Sequence, residues 1–74
     1  MATTVVDTLG LNCPQPVLKA DQSARKLFSG DILEVIGDCY TLEDDIRAWC
    51  RRASHTLLAV NVEGTCKRIQ IQIR

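Results

Sequence analysis

Proline is scarce in this 74-residue chain, and both copies, Pro14 and Pro16, follow directly on one thiol, Cys13. Charge of one sign is lacking too. Nine Lys/Arg balance nine Asp/Glu, which argues against direct nucleic-acid binding, since phosphate recognition needs an excess of cations on one face. No stretch approaches the roughly 18 consecutive apolar residues that a membrane span requires. The opening MATTVVDT has no basic-then-apolar layout of a secretory signal, so the expected compartment is the cytoplasm. Its four cysteines (Cys13, Cys39, Cys50 and Cys66) are then expected to rest as thiols. They include no CxxC pair, and His55 is the sole histidine, so no metal-site motif is present. Repeats, low-complexity runs and linkers are absent. A chain this short has one core to build, and a single domain over 1–74 is expected.

What is present alternates cleanly. Thr4-Val5-Val6-Asp7 is short and β-branched, a first strand, and Gly10 and Asn12 break it. From Pro14 onward Val17, Ala20, Ala24, Leu27 and Phe28 recur at helical spacing, with Gly30 expected as the left-handed cap. Ile32 to Ile36 reads as a second strand that stops at Gly37-Asp38. Thr41 followed by Asp44 resembles a capping box. Leu42, Ile46, Trp49, Cys50 and Ala53 then form one stripe, and Arg51-Arg52 favour the negative end of that helix. Thr56 to Val62 is strand-like, Glu63-Gly64-Thr65 turns, and Ile69-Gln70-Ile71-Gln72-Ile73 alternates strictly, with one buried and one wetter face. The expected fold is an α+β two-layer sandwich of order βαβαββ, with two helices on one face of a four-stranded mixed sheet.

Proline is tolerated in the first helical turn, where its missing N–H has no partner to lose. Pro14 at the first helical position makes Cys13 the N-cap, and Pro16 lies within the same turn. Two fixed φ angles then hold the sulfur at the positive end of the helix dipole. Thiolates at such positions are stabilised and nucleophilic at neutral pH. The alternative is a proline-rich helix start after a cysteine that is merely packed. Spacing alone leaves both readings open.

The residues Asp7 to Leu18, DTLGLNCPQPVL, decide between them. They resemble the signature Leu-Asp-x-x-Gly-Leu-x-Cys-Pro-x-Pro of the TusA/SirA-like (YhhP-type) sulfur-carrier family. The similarity continues through Gly30-Asp31-Ile-Leu-Glu-Val, the Asp45-Ile46 pair and His55-Thr56-Leu57. It implies that Cys13 accepts sulfane sulfur as a persulfide and relays it, with Asn12, Pro14 and Pro16 setting the geometry. The persulfide sulfur is covalent, so no separate cofactor and no metal is implied. The implied donors are a cysteine desulfurase or a rhodanese. The implied acceptors are relay proteins of the Tus type, which serve tRNA thiolation, or of the Dsr and Hdr types, which serve sulfur oxidation. A non-catalytic regulatory or interaction module of the same fold is the alternative. The chain departs from the family where Gln15 replaces a common Glu, Asp38-Cys39-Tyr40 a common Asp-Asp-Pro, Arg47 a Pro, and Ser54 a Gly.

Cys39 is the second thiol of interest. In a βαβ unit the end of strand two and the start of helix one share a sheet edge. Cys13 and Cys39 are therefore expected within about 10 Å. There Cys39 could resolve the persulfide or form a disulfide; the alternative is an ordinary loop thiol, since bridging needs Cα atoms within about 7 Å. Cys50 is expected in the core, Trp49 beneath the sheet, and His55 in a structural role. Glu43, Asp44 and Asp45 read as helix N-terminal electrostatics. Gln15, Asp38, Asp44 and Asp45 also line up as candidates for partner docking on the Cys13 edge.

Overall fold

A computed structural model describes residues 3–74. The order is β1 (Thr3–Asp7), α1 (Gln15–Ala24), β2 (Ile32–Gly37), α2 (Leu42–Ala53), β3 (Thr56–Glu63) and β4 (Cys66–Gln72). The strands form one sheet in the order β1-β2-β4-β3. β1 runs parallel to β2, while β4 is antiparallel to both β2 and β3. This is the βαβαββ mixed sheet that the sequence pattern leads one to expect.

Alternation along the strands decides which face is dry. Val6, Leu33, Val35, Ile69 and Ile71 are buried toward the helices, and the register sets Val6 beside Val35 and Leu33 beside Ile71. Each such aliphatic side chain contributes on the order of 1.5–3 kcal/mol when fully buried. The helices answer with Pro16, Ala20 and Ala24 from α1 and Leu42, Ile46, Trp49 and Cys50 from α2. On the opposite sheet face Glu34 accepts from Arg68 at 2.8 Å and from Gln70 at 3.0 Å. The Gln70 hydrogen bond first, and then Arg68, hold the Glu34 carboxyl below its usual range.

Four local expectations need correction. The first i→i−4 bond of α1 runs from Leu18 N–H to Pro14 C=O at 3.2 Å, after a turn closed by Gln15 N–H on Asn12 C=O. Pro14 is therefore the N-cap, and Cys13 stands one residue before it. α1 also ends at Ala24 rather than near Phe28, because Lys26 and Leu27 bond back to Ser23 and Ala24, three residues away, instead of continuing the helix. Leu27 still packs against the core, but Phe28 is 80% exposed. Gly30, at φ 91°, serves the sheet and caps no helix: its N–H reaches Ile73 C=O at 2.8 Å. Finally, Thr41 is the N-cap of α2 but makes no side-chain capping bond. Its hydroxyl donates to Asp45 at 2.9 Å, so no capping box with Asp44 forms.

The parallel β1–β2 pair fixes where the loops meet. Both strands end at the same sheet edge, so the segment after β1, which carries Cys13, lies beside the segment after β2, which carries Cys39. The junction is tightly bonded. The N–H and the Oγ1 of fully buried Thr8 each donate to Ile36 C=O at 2.7 Å. Gly10 N–H donates to Asp38 Oδ1 at 3.0 Å and ties the two loops together. Gly37 leaves room for this arrangement, since a Cβ there would stand 2.5 Å from Thr8 Oγ1 and 3.0 Å from Leu42.

Candidate functional site

At that edge Cys13 and Cys39, 26 residues apart in sequence, are joined in a disulfide with Cα atoms 6.4 Å apart. The expectation of four resting thiols therefore fails for two of them. The reason is topological: neighbouring parallel strands deliver their following loops to adjacent positions, inside the roughly 7 Å that a disulfide tolerates. Cys50 and Cys66 remain free.

Thr41 lies beside the disulfide, nearer Cys13. Its Oγ1 lies 2.8 Å from Cys13 Sγ and 3.8 Å from Cys39 Sγ, while its proton goes to Asp45 Oδ2. Asp45 thus belongs to the cysteine cluster more directly than a docking residue on the rim would. The donor atoms of Cys13, Cys39 and Asp45 all fall within 4.8 Å of one another. With both cysteines reduced, these three groups could ligate a thiophilic cation; bonded to each other, the sulfurs have no thiolate to offer.

A cleft of about 370 Å³ opens beside the cluster, lined by Cys13, Pro14, Val17, Thr41, Asp45 and Arg52, with Ala48 at its wall. Cys13 is half-buried rather than perched in solvent. Pro16, expected only to stiffen the turn, is fully buried and anchors the start of α1 in the core. Asn12, Pro14 and Gln15 are exposed around the sulfur, and Asp44 is exposed at the first turn of α2. Asp38 is exposed but its carboxylate is committed to Gly10. Tyr40, next to Cys39, is 98% exposed.

The remaining candidates lie elsewhere. Cys50 is buried in the core, and burial pushes its thiol up from the usual range. Cys66 donates to Glu63 C=O at 3.1 Å in the β3–β4 turn region. Trp49 is buried; its indole N–H donates to Asp21 at 3.3 Å and bridges α2 to α1. His55 packs on Trp49 with ring centroids 4.8 Å apart, and its Nδ1 accepts from Arg74 N–H. It precedes β3, whose first residue pairs with Gln72 beside Ile32 at the start of β2, so it stands at the end of the sheet away from Cys13. The structural role expected for it fits this position.

Two comparisons bear on this site. The family model described as Sulfurtransferase TusA matches residues 4–74. This chain belongs to the TusA family. A Bacillus subtilis (strain 168) relative bearing the name "Putative sulfur carrier protein YrkI" is 35% identical over 68 residues, which cover 92% of this chain and 91% of the relative. The TusA match takes in the whole Cys13 edge, both loops, and the two helices that wall the cleft. Within this TusA-family chain the site holds a pair of bonded cysteines with the Thr41–Asp45 hydrogen bond beside them.

Proposed function

We propose that the chain is a sulfur carrier that accepts sulfane sulfur as a persulfide on Cys13 and relays it to a protein acceptor. The observation that carries the reading is Cys13 itself: a half-buried sulfur at an open cleft, one residue before the cap of α1, in a chain of the TusA family. The name of the Bacillus relative, a sulfur carrier, supports the same role. In the reduced protein the Cys13 thiolate attacks the terminal sulfur of a donor persulfide. The donor thiolate leaves, and Cys13 holds the new S–S bond. An acceptor thiolate then attacks the outer sulfur, and the Cys13 thiolate leaves in turn. The cargo is the covalent sulfur, and no further cofactor enters these steps.

The donor class is a cysteine desulfurase or a rhodanese, and the acceptor a relay protein of the Tus, Dsr or Hdr type, in a cytoplasmic setting. The exposed side chains Asn12, Gln15, Asp38 and Asp44 form the rim that partners would meet. Gln15 carries no charge, so an acid at that position has no part in the transfer. Among the described residues no helix is long and apolar enough to cross a membrane, and docking in solution fits this reading. Incubation of the fully reduced protein with a cysteine desulfurase and cysteine tests the proposal by intact mass. One added sulfur on the wild type, absent from Cys13→Ser, is expected. Equal uptake by Cys13→Ser would overturn it, as would partner binding that survives that change with no uptake by either protein.

A further inference from the structure

Cys39 gives this site a second activity. We infer that Cys39 discharges the Cys13 persulfide intramolecularly and releases the carried sulfur as hydrosulfide. The inference rests on the carrier reading and adds a fate for the sulfur when no acceptor is docked.

The geometry that carries it is the direct bond between the two sulfurs on a backbone separation of 6.4 Å. Both cysteines sit on loops fixed by the Thr8–Ile36 and Gly10–Asp38 hydrogen bonds, so Cys39 Sγ is held at the inner sulfur of a persulfide on Cys13. A thiolate that reaches the inner sulfur forms a disulfide and expels the outer one; a thiolate that reaches the outer sulfur merely takes it over. The step is balanced. Cys39–S⁻ attacks Cys13 Sγ, the Cys13–Cys39 bond forms, the Cys13 S–S bond to the outer sulfur breaks, and HS⁻ departs with that electron pair. The two cysteine sulfurs are oxidised together by two electrons, and the sulfane sulfur is reduced to sulfide. Cys13 lines the open cleft, which gives the leaving group a way out, and Arg52 is the one cation among the lining residues. Thr41 Oγ1, 3.8 Å from Cys39 Sγ, is a hydroxyl beside the attacking thiolate. A dithiol reductant then restores both thiols, and until it does Cys13 cannot be loaded.

A docked acceptor competes for the outer sulfur from the open side of the cleft, so its presence decides between relay and release. The bonded state also makes a carrier that is silent under oxidation.

The test uses the full chain. Wild type, Cys39→Ser and Cys39→Ala are reduced, desalted, loaded with a cysteine desulfurase and cysteine, freed of donor, and followed without reductant. Sulfide is trapped and intact mass recorded over time. Wild type is expected to release one equivalent of sulfide and finish two hydrogens lighter than the reduced chain, with a Cys13–Cys39 linked peptide. Both variants should keep the added sulfur at least tenfold longer. An adduct on wild type as long-lived as that on the variants would overturn the inference, as would sulfide release that links Cys13 to Cys66. If the variants and wild type all fail to load, the carrier reading itself falls, and the inference with it.

Discussion

Thr41 Oγ1 lies 2.8 Å from Cys13 Sγ while donating its proton to Asp45 at 2.9 Å. The hydroxyl therefore has two claimants, a carboxylate and a sulfur. When Cys13 is a thiolate, the hydroxyl is the neighbouring group able to turn and donate to it. Thr41→Val keeps the shape and removes the donor. In a Cys39→Ser background, Cys13 alkylation by iodoacetamide at neutral pH is expected to slow roughly tenfold, the lower end of what a hydrogen bond to a charged group is worth, about 1.5 kcal/mol. An unchanged rate would remove Thr41 from the site's chemistry.

Asp45 should act in the opposite sense. It holds the hydroxyl away from the sulfur and places a like charge beside a thiolate on Cys13. Two unit charges about 4 Å apart in water interact by about 1 kcal/mol, so Asp45→Asn is expected to speed the same alkylation about fivefold. Salt should shrink the effect. A slower reaction in Asp45→Asn would reverse the assigned role.

Gly37 controls the junction that brings the two loops together. Gly37→Ala pushes a methyl toward Thr8 Oγ1 and Leu42, and overpacking of this kind costs about 1–3 kcal/mol. Urea unfolding measures it. Thr8→Ala removes the nearest obstructing atom, so the Gly37→Ala penalty should be smaller in that background, and equal penalties in both would contradict the steric account.

Ser54 ends α2 at φ 63° and ψ 29°, a left-handed conformation that L side chains pay for. The penalty is about 1–2 kcal/mol, part of which glycine returns through its freer unfolded chain. Ser54→Gly is expected to raise unfolding stability by about 0.5–1 kcal/mol without changing sulfur uptake. A lower urea midpoint would contradict it.

Burial holds His55 below its usual range, with the Arg74 charge acting the same way and Asp21 opposing both. Its folded value thus lies under its unfolded value of about 6.5. Protonation then favours the unfolded chain, so this contribution is intact above the unfolded value and is lost as pH falls through it toward the lowered folded value. The Arg74 N–H bond to Nδ1 requires the unprotonated nitrogen, which agrees in sign. The Glu34 and Glu43 carboxyls are also held down, but their contributions fade in a more acidic window. His55→Gln should flatten the fall of the urea midpoint between about pH 7 and pH 5.5; an unaltered slope would contradict the assignment.

Much of the fold was legible because burial is periodic here. Ile69, Gln70 and Ile71 alternate across the sheet, and Leu42, Ile46, Trp49 and Cys50 fall on one helical stripe, so pattern and packing agree. Helix ends were less legible, since they turn on which carbonyl an N–H finds. Leu27 kept the apolar spacing of α1 but its N–H chose Ala24. In the site, βαβ topology brought Cys39 toward Cys13, whereas the last few ångströms depended on Thr8, Gly37 and the Gly10–Asp38 bond. Asp45 read as part of an acidic helix start; only its spacing of four residues from Thr41 hinted at the hydrogen bond between them. The burial of Pro16 had no separate signal, because its place in the first turn already accounted for a proline there.

The most direct test of the carrier account is the position of the loaded sulfur. Reduced Cys39→Ser, in which the internal discharge cannot occur, should gain one sulfur from a cysteine desulfurase, and peptide mapping should place it on Cys13. Sulfur found on Cys50 or Cys66 instead, or no sulfur on a folded protein with a competent donor, would contradict it.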